Sequence, residues 1–508
     1  MKILLYLKYT VLFSAALFIS SCSKDLGNYS YQDINEVNFG KIEDSYTVLL
    51  GAHLNINPEL HFTQPGQSQE TDYSYEWFAI NNNVNTLPGD KRKNLATTKK
   101  LDIDVQIPPG LYTVHYKVTD KKTGVSFTRQ FSLKVETIIY EGWMVLNDIQ
   151  NTGRLDMISM INNQFTPLHD ILKTSGSQFQ LKGKPLDVYC YPFMRNDYGI
   201  YISTDQGTNR INPESFAWKD TYNLKTEVLG KVDEKFHADF FSATPEEPGV
   251  SYMYSQGNVY YYFGVFQIFY GIPINIAYGE AIPFRAAPFI PAVRNFGAYP
   301  SSAVLFDMDK KRFLQHGNRT SYVLPFAKSN STLFDFDNVG MDLEYMTYST
   351  YNAGDVFAVL KNNNGKRYLA RFNCISGTQS YFEEIKAQDI DKATNYAVSP
   401  VFGYLFYSVG GKVYEYDLSL KTSKLMLDKG SEQISLLKFQ YFTDTWPEKP
   451  AYTELAKQLI VASYNPAGLP TSNGKIEFFN VQGLNGPLKL VNKFEGFGKV
   501  VSISYRER

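Results

Sequence analysis

The chain has 508 residues, with 50 Lys+Arg against 51 Asp+Glu and a formal net charge of −1. No basic tract stands out, which argues against nucleic acid as a partner. A content of 44% hydrophobic and 20% charged residues is that of an ordinary globular protein, long enough for two or three domains. The departure is aromatic: 38 Tyr and 36 Phe beside 4 Trp, residue types that favour strands and good contact surfaces.

Met1-Lys2 is followed by an apolar stretch containing Lys8, then by the nearly continuous apolar run Val11 to Ile19 and by Ser20, Ser21 and Cys22. A basic start, an apolar run of about ten residues and a small-residue end make a secretory signal. A membrane span would need roughly 20 apolar residues. Ile19-Ser20-Ser21-Cys22 resembles the lipobox of bacterial lipoproteins, which implies cleavage of residues 1–21 and acylation of Cys22; the alternative is an ordinary signal peptide with a chance cysteine. Residues 22–30 then form a short lipidated linker. Within it, Ser23-Lys24-Asp25 partly resembles the charged tract that sends Bacteroidetes lipoproteins to the cell surface. The other cysteines, Cys190 and Cys374, sit in apolar or aromatic stretches and are expected as buried free thiols rather than a disulfide. No cysteine pair has metal-ligand spacing, and neither metal nor cofactor is expected.

Residues 31–137 are expected to form a small β-sandwich. Leu101, Ile103, Val105 and Ile107 alternate with polar residues, Pro108-Pro109-Gly110 turns the chain, and Tyr112, Val114, Tyr116 and Val118 alternate in their turn. Phe131, Leu133 and Val135 line a further strand, and Trp77 is placed on a central strand as the indole packed between two sheets. Tyr75-x-Trp77, then Gly110-x-Tyr112-x-Val114-x-Tyr116-x-Val118-x-Asp120, then Gly124, resembles the PKD domain pattern. With Leu26 to Val37 behind the lipid cysteine, the chain is similar to PKD-like family lipoproteins of Bacteroidetes, a likeness that Gly142-Trp143-Met144-Val145-Leu146 extends.

From residue 138 to 508 one unit recurs: an apolar strand, a polar or glycine turn, and a second strand with aromatics. The turns fall at Gly153, Gly207, Gly257, Lys310, Gly365, Gly411 and Gly474. A spacing of about 50 residues is that of propeller blades, each a four-stranded sheet. The reading is an all-β protein with a seven-bladed β-propeller, closed by Val500 to Tyr505 joining the blade begun near Trp143; an array of β-sandwiches is the alternative.

Motifs that carry chemistry are missing: no HExxH, GxSxG, phosphate loop or CxxC occurs. Six scattered histidines suggest no site. Ser203-Thr204-Asp205-Gln206-Gly207 partly matches the Asp-box of sialidase-like propellers, where the Asp caps hairpin amides, a structural role. Asp335 to Glu344 is the densest acidic stretch; a Ca²⁺ loop is weighed against a solvated loop and the solvated loop is favoured, since Val339 breaks the ligand spacing. Two connections interrupt the period, 278–300 and 442–452, and loops on a rigid scaffold commonly bind. Phe284, Phe289 and Trp446 are the aromatic candidates there for contact with a ligand, against the alternative that they pack over blade edges.

The family resemblance implies a place beside a TonB-dependent transporter and its lid lipoprotein, a SusC/SusD-like pair. The first expectation is therefore an accessory lipoprotein of the outer membrane, exposed at the cell surface, that captures a glycan or peptide. A propeller enzyme (glycosidase or lyase) and a scaffold that contacts only proteins remain open. A carboxylate pair in the central cleft favours the enzyme, an aromatic cleft without one favours binding, and a flat apolar patch favours the scaffold.

Overall fold

Period-2 alternation in the first part of the chain and the recurring strand-turn-strand unit in the rest predict strands, and strands are what the structure holds. It is a computed structural model that describes residues 34–508 apart from 65–68, 83–87, 162–163, 195–196, 245–249, 264–268, 295–300, 318–319 and 444–448. The chain divides into two units, the first ending at Lys134 and the second running from Val135 to Arg508, with Ile107–Pro109 assigned to the second.

The first unit is a sandwich. A five-stranded sheet takes, in spatial order, Ser45–Leu49, Ser126–Glu136, Gly110–Asp120, Tyr73–Asn81 and Arg92–Ala96; the pairs Val37–Gly40 with Glu59–Phe62 and His53–Ile56 with Leu101–Asp104 complete it. Trp77 and Tyr116 face each other across neighbouring strands and stack at 3.9 Å, both fully buried. The indole N–H is not left unpaired: it donates to the Thr98 carbonyl at 2.8 Å. The strand expected through Ile107 stops at Asp104, ahead of Pro108-Pro109, whose rings supply no N–H to a ladder.

The second unit contains seven antiparallel sheets in chain order among the described residues. We number them I to VII. Sheet I is built from both ends of the unit: Lys499–Arg506 pairs with Gly142–Asp148, which continues to Gly153–Ile161 and Gln164–Leu168. Sheets II to VII begin with the strands Pro185–Met194, Phe240–Thr244, Ala292–Arg294, Asp342–Ser349, Asn395–Val398 and Gln433–Lys438. Every one of the seven turns read from the sequence lies between the second and third strands of a sheet, Lys310 included. Closure at Val500 to Tyr505 against the strand of Trp143 is present, with Trp143 opposite Tyr505. The result is an all-β protein, an immunoglobulin-like sandwich followed by a β-propeller.

The core of the propeller lies between sheets. Trp143, Ile158, Ile460, Phe478, Ile503 and Tyr505 bury one another where sheet I meets sheet VII, so the closing strand is held by apolar packing as well as by its ladder. Cys190 and Cys374 are free and buried, each inside such a cluster. The partial Asp-box does form a hairpin, with Gly207 at φ +147°, but Asp205 accepts from the Lys184 N–H at 2.9 Å while Thr204 Oγ1 takes the Gln206 N–H at 3.2 Å.

Candidate functional site

First strands of neighbouring sheets lie side by side around the ring's centre. A cavity of about 360 Å³ opens there, lined by the first strands of sheets II, III, V, VI and VII and by Pro288–Ala292, which leads into the first strand of sheet IV. That size falls in the usual range for small-molecule sites, ~300–1,000 Å³.

Its walls differ. On one side stand Asp187 of sheet II and Lys438 of sheet VII, which flank the closing strand from its two neighbours. Ser502 Oγ donates to Asp187 Oδ1 at 2.6 Å, and Lys438 Nζ donates to the Ile503 carbonyl at 2.6 Å. Burial raises the Asp187 pKa, opposed by the Ser502 hydrogen bond and the Lys438 charge. Burial likewise lowers the Lys438 pKa, opposed by Asp187. Asp187 is the one carboxylate among the described residues that line the cavity.

The other side is aromatic. Tyr345 and Tyr396 stack at 5.3 Å, and Phe289 meets Tyr345 edge-on at 5.7 Å. Tyr189 accepts the Ala243 N–H at 3.2 Å, which fixes its ring against sheet III. Tyr348 and Tyr441 meet edge to face at 5.6 Å. These two also line a second chamber of about 330 Å³, whose walls come from Val398, Pro400, Phe439 and Phe442 and from the short helix Pro450–Ala456.

Of the three aromatic candidates, Phe289 reaches the cavity. Phe284 does not: it is 7% exposed and packs in the core between sheets III and IV with Tyr252 and Leu305, because a large apolar ring beside a sheet interface gains more from burial than from water. Trp446 lies outside the described residues, between Phe442 and Lys449, which both line the second chamber. Cys22 also lies outside them. In the acidic stretch Asp342 and Glu344 pair with separate cations, Lys311 at 3.0 Å and Arg367 at 3.0 Å, while Asp335 Oδ1 accepts the Asp337 N–H at 3.0 Å. Sequence reasoning missed Asp187, Lys438, Tyr345, Tyr348, Tyr396 and Tyr441. A signal was present: each stands on or just after the strand before a recognised repeat unit, and that strand faces the centre of a ring.

Residues 22–185 match the model of the PKD-like family. The match therefore spans the sandwich and continues through Gly142–Asp148, Gly153–Ile161 and Gln164–Leu168 of sheet I. No curated protein matches the chain. Among solved structures, a quinonprotein alcohol dehydrogenase-like protein from Bacteroides thetaiotaomicron is similar at 10% identity and a TM-score of 0.43, over 92% of this chain and 99% of that one. The extracellular domain of a one-component system from the same species is similar at 9% identity and a TM-score of 0.37, over 94% and 71%. A DUF4784 family protein from Bacteroides caccae is similar at 8% and 0.30, over 93% and 98%. Likeness of this degree says nothing of activity. No helix among the described residues is long and apolar enough to cross a membrane.

Proposed function

We propose that this chain is a lipoprotein of the Bacteroidetes outer membrane, anchored through Cys22 and displayed at the cell surface, whose propeller holds a glycan or peptide in its central cavity for a SusC/SusD-like uptake system. The observation that carries the binding part is the lining of that cavity: many aromatic faces and, among the described residues, one carboxylate, Asp187. Hydrolysis of a glycosidic bond ordinarily uses two carboxyl groups roughly 5–10 Å apart, so a lining with one favours capture over cleavage. Phe289 is a proposed ligand contact on its place in the wall, and Trp446 on its place in the chain. The anchor is supported by the signal-like residues 1–21 and by a family match that starts at residue 22, the expected first residue of the mature protein. Domain limits of 31–137 and 138–508 belong to the same reading.

Two experiments test it. Cys22→Ala should move the protein from the membrane fraction to the soluble one; a variant that still floats with membranes after a carbonate wash overturns the anchor. Protease added to intact cells should digest the protein; protection until lysis would overturn surface display while leaving the cavity's role intact.

A further inference from the structure

The second chamber has a chemistry of its own. Val398, Pro400, Phe439 and Phe442 give it apolar walls, and the charged residues that line it, among the described residues, are Lys449 and Lys457, both positive. Among the described residues the nearby carboxylates have partners: Glu454 pairs with the lining Lys457 itself at 2.6 Å, Glu141 accepts from the hydroxyls of Tyr452 and Tyr505 at 3.1 and 2.8 Å, and Glu507 accepts from the Thr443 N–H at 2.8 Å. Lys449 donates to the Arg508 main-chain oxygen and lies 5.1 Å over the Tyr452 ring, which fixes its charge beside the chamber. Among the described residues Lys457 is held by an exposed i,i+3 pair with Glu454, the kind of contact that is worth little and exchanges readily.

We propose that this chamber takes an apolar group bearing a carboxylate, the apolar part seated against Phe439 and Phe442 and the carboxylate at Lys457. The occupant is a free aliphatic or aromatic acid, or the C-terminal carboxylate of a peptide that ends in an apolar residue. A neutral sugar would leave the lysine charge unmatched and set hydroxyls against Val398, Phe439 and Phe442. A cation of the same shape meets two lysines. The inference rests on reading the propeller as a ligand-binding domain and names what one part of that site selects.

Calorimetric titration of the mature protein with octanoate, octylamine, Gly-Gly-Phe and Gly-Gly-Phe-amide tests it. Octanoate is expected to bind at least tenfold tighter than octylamine, or Gly-Gly-Phe at least tenfold tighter than its amide; the first result marks the free acid as the source and the second the peptide end. Lys457→Glu should remove that preference. Ala456→Phe, and separately Val401→Trp at the exposed rim, should each abolish binding by filling the chamber while circular dichroism stays that of the parent. The proposal is overturned if amine and acid bind alike, if both filled variants bind as the parent does, or if no carboxylate binds at millimolar concentration. A saccharide that binds the parent and is lost on Ser242→Trp, while carboxylates fail, would remove this assignment and keep the central cavity as a binding site.

Discussion

Tyrosine does one kind of work in the sandwich and two in the propeller, where Tyr252 and Tyr505 pack in cores as well. In the sandwich, Tyr73, Tyr112 and Tyr116 are buried among apolar neighbours and Tyr116 lies flat on Trp77, so the rings are packing material. In the propeller, Tyr189, Tyr345, Tyr348, Tyr396 and Tyr441 line a hollow. The same residue type therefore closes one core and furnishes the inside of another. What separates the two uses is topology: opposed sheets fill the space between them, whereas sheets set around a ring leave their first strands facing a gap.

The contrast breaks most visibly at the closing strand. Ile503 is fully buried between sheets I and VII, and Ile503→Asp should cost about 4–5 kcal/mol or more by placing an unpaired carboxylate there. Calorimetry should show the propeller's transition lost or strongly lowered and the sandwich's retained; a single transition shifted as one would show that the two cores do not melt separately. Trp77→Ala is the converse. Removing the stacked indole should cost the sandwich about 3–5 kcal/mol and leave ligand binding unchanged.

A smaller effect comes from a buried acid in sheet VI. Glu415 is 1% exposed and neither of its carboxylate oxygens has a hydrogen-bond partner among the described residues. Burial and the neighbouring Asp417 push its pKa from 4.5 up to about 7. The folded state thus keeps a proton that the unfolded chain releases, so stability is greatest below about pH 4.5 and falls until about pH 7, by roughly 3 kcal/mol for this group. Glu415→Gln should flatten that part of the curve in denaturant titrations between pH 5 and 8, and an unchanged slope would contradict it. The smallest effect belongs to the cavity wall. The Tyr396 hydroxyl is buried with no partner among the described residues, so Tyr396→Phe should shift stability by no more than about 1 kcal/mol.

Much of this architecture was legible in the sequence. Alternation around Val114 and Tyr116 defines a strand with one dry face, and the spacing of Gly207, Gly257 and Gly411 marks hairpins, because glycine tolerates the positive φ found there or at the next position back. Lys310 was the weakest turn by composition and still proves to be one: Asp307 Oδ1 accepts the Asp309 and Lys310 N–H groups at 3.0 and 3.1 Å, and Lys311 takes the positive φ, +51°. Of the site, only the position of its walls, on the strand ahead of each repeat unit, was legible. Asp187 and Lys438 lie far apart in the chain and approach the same strand only because the ring closes, and no local pattern encodes that. Phe284 misled for a related reason: a proline-rich loop suggested exposure, whereas its ring fills a sheet interface.

The central claim is that the ring's cavity binds a small ligand between its aromatic and charged walls. Its most direct measurement is equilibrium binding of a panel of oligosaccharides and short peptides to the parent and to Ser242→Trp, which fills the cavity from sheet III. At least one member of the panel should bind the parent and lose tenfold or more in affinity in a Ser242→Trp variant that remains folded. A ligand bound equally well by both proteins would place recognition elsewhere on the chain.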